Sequence, residues 1–381
     1  MKNFIFENPV KIVFGKDTIS KLPELLPQNA KILVTFGGGS AKRNGVYDQV
    51  VSALKDFKFI EFWGIEANPR FETLMKAVEI AREENIDYLL AVGGGSVIDG
   101  TKFIAKAVKY DGDEYQLLKN PNINTEYIPL ATVLTLAATG SEMNSGAVIN
   151  VEKTKEKLVM SGEFPKFSIL DPQVLFSLPK FQIACGIIDT YIHTLEQYLT
   201  KPGQSRLMDR WAEGILQSLI ELAPKLIHEE PDYDTMADFM LCATMALNGF
   251  IAMGVEEDWV THMIGHEITA YSNLTHAVTL SIVMPRVMEV LKNEKGDKIL
   301  QYGDRVFNIT SGTVEQRIAE TIEKTRQFFE SLDIRTSLHE NNISDDIINL
   351  IVERWQSRGW KRGENSHVDY QVVKVILEKS K

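Results

Sequence analysis

The rhythm of apolar and polar positions changes near residue 180. Before it, short β-rich runs recur: KILVTF (31–36), FIEFWG (59–64), DYLLAV (87–92), IPLATVLTL (128–136) and FSILD (167–171). The first three alternate with helical patterns such as TLMKAVEIAREEN. That alternation predicts βαβ units and a mostly parallel sheet. Beyond Phe181 the pattern is almost wholly helical: GIIDTYIHTLEQY, RWAEGILQSLIELAPKLI, TMADFMLCATMALNGF, EQRIAETIEKTRQFFESL and SDDIINLIVERWQ. An α/β domain over residues 1–180 and an all-α domain over 181–381 are therefore expected, with LPKFQ joining them.

A chain of 381 residues agrees with two domains. Its 44% hydrophobic content is that of a globular protein, and no apolar run approaches the roughly 20 residues of a membrane span. The opening MKNFIFENPVKIVFG lacks an apolar signal core, so the cytoplasm is the expected compartment. Cys185 and Cys242 are too few for a disulfide framework and read as free thiols. A net charge of -11 disfavours nucleic acid or an anionic membrane as the main partner.

Two strands run into the same tetrapeptide, KILVTF into Gly37-Gly38-Gly39-Ser40 and DYLLAV into Gly93-Gly94-Gly95-Ser96. A glycine turn opening onto a helix brings backbone N–H groups up to a phosphate, so the second turn reads as a pyrophosphate cradle. One such turn is equally a tight connection with no ligand. Two at corresponding strand ends point to a dinucleotide, because ligands of open α/β sheets collect along that edge. Neither matches GxGxxG, since Lys42 and Ile98 stand at the sixth positions. GGGSAKRNG carries no acid for a ribose 2′-hydroxyl but offers Ser40, Lys42 and Arg43, a balance that suits NADP(H) over NAD. The two cations also read as ordinary surface charges. The loop TLAATGSE, from Thr135, either donates hydrogen bonds to a cofactor or caps a helix through Ser141 and Thr139, the simpler reading.

The helical half holds the second concentration of chemistry. Asp189 and His193 are four apart, on one helical face, and WVTHMIGHEITAYSNLTH carries His262, His266 and His276. Each alone is an ordinary polar residue. Together, among Ile187, Ile188, Ile192, Leu195, Met263 and Ile264, they offer the carboxylate and imidazoles that bind a divalent first-row metal.

The order GGGS, GGGSxxD, TLAATGSE, DxxxH and HxxxHE with a further His ten residues on resembles the iron-containing, group III alcohol dehydrogenases. The likeness runs from VKIVFGKDTI to RGENSH and leans towards the NADPH-dependent aldehyde reductase and butanol dehydrogenase branch. It implies a dehydroquinate synthase-like fold, an α/β dinucleotide-binding domain followed by an all-α metal-binding domain. It implies Asp189, His193, His262 and His276 as ligands of Fe(II) or Zn(II), with His266 beside the metal near substrate and nicotinamide. For the cofactor it implies Gly38, Gly39, Ser40, Asn68, Gly95, Ser96, Asp99, Thr135, Thr139 and Lys157. Lys157 lies in the charged stretch VEKTKEK and would otherwise read as a solvated turn charge. Ala138 departs from the glycine of many relatives. The activity implied is hydride transfer between NADP(H) and small aldehydes or primary alcohols, by a homodimer. The alternatives are a polyol or glycerol-type dehydrogenase, a dehydroquinate-synthase-like lyase, and a non-catalytic dinucleotide sensor.

Overall fold

The computed structural model describes residues 1–381, packed as two compact units. One comprises Glu7–Pro179 and Pro231–Asn248; the other comprises Met1–Phe6, Lys180–Glu230 and Gly249–Lys381.

The first unit is built on a parallel sheet of β1 (Lys11–Phe14), β2 (Lys31–Phe36), β3 (Lys58–Phe62), β4 (Tyr88–Gly93), β5 (Leu130–Leu134) and β8 (Phe167–Leu170). Their spatial order is β1-β8-β5-β4-β2-β3. Every residue of β4 and β5 is buried, as near-continuous apolar runs predict for strands covered on both faces. The edge strands β1 and β3 are half-exposed. Between β5 and β8 an antiparallel hairpin projects, β6 (Gly146–Val151) with β7 (Glu156–Ser161). The helices α1 (Val46–Ala53), α2 (Phe71–Glu83) and α3 (Gly95–Ala107) follow β2, β3 and β4.

The second unit is helical: α4 (Lys180–Tyr198), α5 (Arg206–His228), α7 (Val260–Ser272), α8 (His276–Val290), α9 (Lys292–Phe307), α10 (Val314–Glu330), α11 (Asp345–Ser357) and α12 (Tyr370–Lys379). From Gly186 to Tyr198 every residue of α4 is buried, so its polar side chains face protein and need partners there.

The expected partition at 180 differs from the packing in two segments. Helix α6 (Tyr233–Ala246) belongs with the sheet, where Thr244 donates to Glu142 at 2.6 Å and Asn144 donates to the Leu247 carbonyl at 2.9 Å. Met1–Phe6 belong with the helices, where the Lys2 N–H reaches the Gly254 carbonyl at 2.8 Å. Both switches rest on contacts between residues far apart in the chain, which local pattern does not carry. Cys185 and Cys242 are free, and burial pushes both thiols up to about 12. No helix is long and apolar enough to cross a membrane.

Candidate active site

In the sheet unit, strand register brings three loops to one edge. β2 and β4 are neighbours although not consecutive, with Phe36 opposite Val92, and Gly93 lies opposite Leu134 of β5. Gly37–Ser40, Gly94–Ser96 and Thr135–Ser141 therefore leave adjacent strand ends. Because β3 lies beyond β2 and β5 beyond β4, this edge is a topological switch point. The second glycine turn is crowded: a Cβ on Gly95 would collide with the Thr139 side chain, and one on Gly93 with Val97. Only glycine admits so close an approach.

Hydrogen bonds tie several of the anticipated cofactor residues together. The Asn68 N–H donates to Ser96 Oγ at 3.3 Å, and Lys157 Nζ donates to Asn68 Oδ1 at 3.0 Å. Asn68 adopts φ 62, a left-handed backbone that asparagine tolerates better than most residues. Thr139 Oγ1 accepts the Ser141 N–H at 3.2 Å, a local turn bond, and the single 3-10 turn Ser141–Met143 that follows has no side-chain cap at its N-cap Gly140. Ser141 Oγ in turn donates to Asp99 at 2.6 Å, and the Val148 N–H donates to the other Asp99 oxygen at 2.9 Å. Burial holds Asp99 above the usual carboxylate range, against the pull of Lys102 and these donors.

At the far end of the edge, Gly39 has φ +97, with the Arg43 guanidinium close above it. Lys42 Nζ lies 4.2 Å from the Trp63 ring centre, and Trp63 stacks on Phe36 at 4.1 Å. Glu61 is the acid of this corner, but Trp63 Nε1 donates to one of its oxygens at 2.7 Å and the Tyr47 hydroxyl to the other at 2.8 Å.

In the helical unit, ligand atoms of Asp189, His262 and His276 all lie within 4.8 Å of one another. Asp189 and His262 are buried, and His276 opens α8. His193 stands beside this trio, its Nδ1 3.8 Å from Asp189 Oδ1 and its ring stacked on His262 at 4.5 Å. His266, one turn beyond His262 on α7, packs its ring 4.9 Å from that of His276. Two buried nitrogens, His193 Nδ1 and His262 Nε2, make no hydrogen bond. Such atoms are costly unless something binds them. A carboxylate, two imidazoles in the trio and an adjacent third fit a divalent metal ion.

The two neighbouring imidazoles are tuned in opposite directions. Burial lowers His193 to about 4, and His262 adds to that while Asp189 opposes it. Burial also penalises the charged form of His262, but Glu196 and Asp189 outweigh it and hold that ring up at about 9. The asymmetry comes from Glu196, whose carboxylate bonds His262 Nδ1.

Comparison with known proteins matches both halves of this architecture. Residues 9–172 fit the model of the iron-containing alcohol dehydrogenases, and residues 183–380 fit that of the C-terminal region of the same family. The chain belongs to the iron-containing alcohol dehydrogenase family. Within it, the chain falls with aldehyde reductase and butanol dehydrogenase relatives. The NADPH-dependent aldehyde reductase YqhD of Escherichia coli is 45% identical, with 99% of each chain covered. The probable NADH-dependent butanol dehydrogenase 1 of Bacillus subtilis is 41% identical over the whole of both chains. Among solved family structures, the NADH-dependent butanol dehydrogenase A of Thermotoga maritima superposes with a TM-score of 0.94 at 34% identity, covering 100% of this chain and 99% of its own.

Three features of this family member escape sequence reasoning. Glu196 pairs with His262 from 66 positions away. The Glu61, Trp63 and Tyr47 group meets Lys42 only because β3 lies beside β2. Lys102 is fully buried, donating to Ser141 Oγ at 2.8 Å, Asn144 Oδ1 at 3.1 Å and the Gly146 carbonyl at 2.8 Å. Glu196 follows His193 by three residues, so helical spacing was a usable signal for it; the other two left none in the chain.

Proposed function

We propose that this protein is a metal-dependent reductase of small aldehydes that uses NADPH and works reversibly on primary alcohols. The buried Asp189, His262 and His276 trio, with His262 Nε2 left free of hydrogen bonds, is the observation that carries the reading. Bound Fe(II) or Zn(II) supplies Lewis-acid polarisation of a carbonyl oxygen, and bound NADPH supplies hydride.

The chain does the rest. Asp189, His262 and His276 hold the ion, with His193 as the fourth donor. N–H groups of the second glycine turn cradle the pyrophosphate at the start of α3. Gly38, Gly39 and Ser40 receive the adenosine ribose, with Lys42 and Arg43 as the cations for its 2′-phosphate. Asn68, Asp99, Thr135, Thr139 and Lys157 line the path of the cofactor. His266 presents an imidazole that hands a proton to the product oxygen. Relatives named for NADPH and for NADH both occur at similar identity, so the cofactor preference rests on the Gly39 corner of this chain.

Oxidation of NADPH by butyraldehyde, with protein purified without oxygen, tests the proposal. Activity should vanish on chelation and return with iron or zinc. Absence of turnover with either NADPH or NADH in metal-loaded protein would sink it and favour a lyase or a dinucleotide sensor; turnover confined to polyols would favour a glycerol-type dehydrogenase. His266→Ala should lower turnover by about 10²- to 10⁴-fold with metal content unchanged. Loss of metal would make His266 a ligand instead.

A further inference from the structure

Helix α7 draws its local cap from Asp258, whose side chain accepts the Val260 N–H at 2.9 Å, and not from its N-cap residue. Its N-cap residue, Trp259, has φ 67 and no side-chain bond to the first turn. Glu196, 2% exposed on α4, takes the next two N–H groups from a distance. Its carbonyl accepts the Asp258 N–H at 3.0 Å. Its carboxylate accepts the N–H groups of Thr261 at 2.5 Å and His262 at 3.2 Å, the second and third residues of the helix. The same carboxylate bonds His262 Nδ1. One side chain thus grips both the backbone and the ring of His262.

The consequence concerns which nitrogen of His262 is available. With Nδ1 committed to Glu196, the ring can offer a lone pair only at Nε2, and Nε2 is the atom that lies 3.8 Å from Asp189 Oδ1 and lacks a hydrogen bond. Asp189, His193 and Glu196 fall at i, i+4 and i+7 on α4, one stripe of the helix. The helix that offers Asp189 to the ion therefore also aims His262 at it from the neighbouring helix.

We infer that Glu196 is a positioning residue of the metal centre: it selects the His262 tautomer that presents Nε2 and holds the ring against rotation. The inference rests on the metal reading of this site. Glu196 touches no substrate or cofactor in this role; it acts through His262.

Metal affinity rather than turnover is the decisive readout. Apoprotein is titrated with Co(II) in competition with a chromophoric chelator. Glu196→Ala should weaken Co(II) binding by roughly 10- to 100-fold. Glu196→Gln keeps one acceptor for the ring N–H and should lose less than about 10-fold. In a His262→Ala background, adding Glu196→Ala should change affinity by less than about 2-fold, because the route is already cut. NADPH fluorescence should titrate alike in every variant. If Glu196→Ala does not fold, Glu196→Gln alone and on His262→Ala gives the same comparison. Wild-type protein that binds no Co(II) overturns the metal reading itself. Wild-type binding that Glu196→Ala leaves unchanged overturns this inference alone. An equal loss in the His262→Ala background reduces Glu196 to a helix cap and overturns it too.

Discussion

Lys42 and Glu61 meet the same aromatic pair, Trp63 and Tyr47. Trp63 and Tyr47 each donate to one oxygen of Glu61, which holds that carboxylate against the aromatic pair. Lys42 rests on the Trp63 face, a contact worth about 0.5–1 kcal/mol at an exposed site, which holds the ammonium over the aromatic pair. A charge-assisted bond to a 2′-phosphate is worth about 1.5–3 kcal/mol. Lys42→Met should accordingly raise the KM for NADPH about 10-fold or more and leave that for NADH nearly unchanged. Comparable losses with both cofactors would mean that Lys42 serves the aromatic stack instead. The basic residues of this corner were legible because they follow the glycine turn directly. Trp63 and Glu61 were not, since β3 carries Glu61, Trp63 directly follows that strand, and only sheet pairing brings them back. Glu196 was hidden differently: a glutamate on a helix ordinarily faces water, and only the unbroken burial of α4 from Gly186 to Tyr198 makes it exceptional.

Whole elements were more readable than their partners. The Asp189 and His193 spacing on α4 and the two glycine turns follow from helical and strand periods alone. Edge strand β1 is four residues, the outer two exposed and the inner two half-buried, with no alternation to mark it. Helix α3 shows the same limit, for it opens with the glycine turn yet carries a lysine inside the core. The three acceptors around Lys102 match the three N–H donors of an ammonium. Burial lowers its pKa from 10.5 to about 8, against the opposing pull of Asp99 and Glu142, so it stays charged at neutral pH. Below about pH 8 folded and unfolded chains are both protonated there, and the cost of the buried charge is present in full. Between about 8 and 10.5 the unfolded chain binds more protons, so stability due to this group rises with pH. The urea midpoint of the wild type, measured relative to Lys102→Met, should climb across that window. A constant difference would place the titration of Lys102 elsewhere.

At the scale of the molecule, the change of grain near residue 180 marks where the sheet unit first ends, but the chain returns to that unit for α6 and begins in the other. The helix α6 is as helical in pattern as its neighbours; its allegiance is decided by Thr244 meeting Glu142 across 102 positions. This division separates the two proposed ligands, the metal residues lying in the helical unit and the cofactor residues in the sheet unit. A ligand stabilises what it binds, by about 2.7 kcal/mol at one hundred times its dissociation constant. Hydrogen exchange should therefore resolve two separate effects. Adding Zn(II) to apoprotein should slow amides of α4 and α7, where Asp189, His193 and His262 sit, and NADPH should slow those following β2 and β4. Global unfolding would blur the distinction, so the comparison belongs in native buffer, where local openings below the global free energy dominate exchange. Protection by NADPH at α7 equal to that from Zn(II), or none from Zn(II) anywhere, would contradict the assignment of the two ligands to different units.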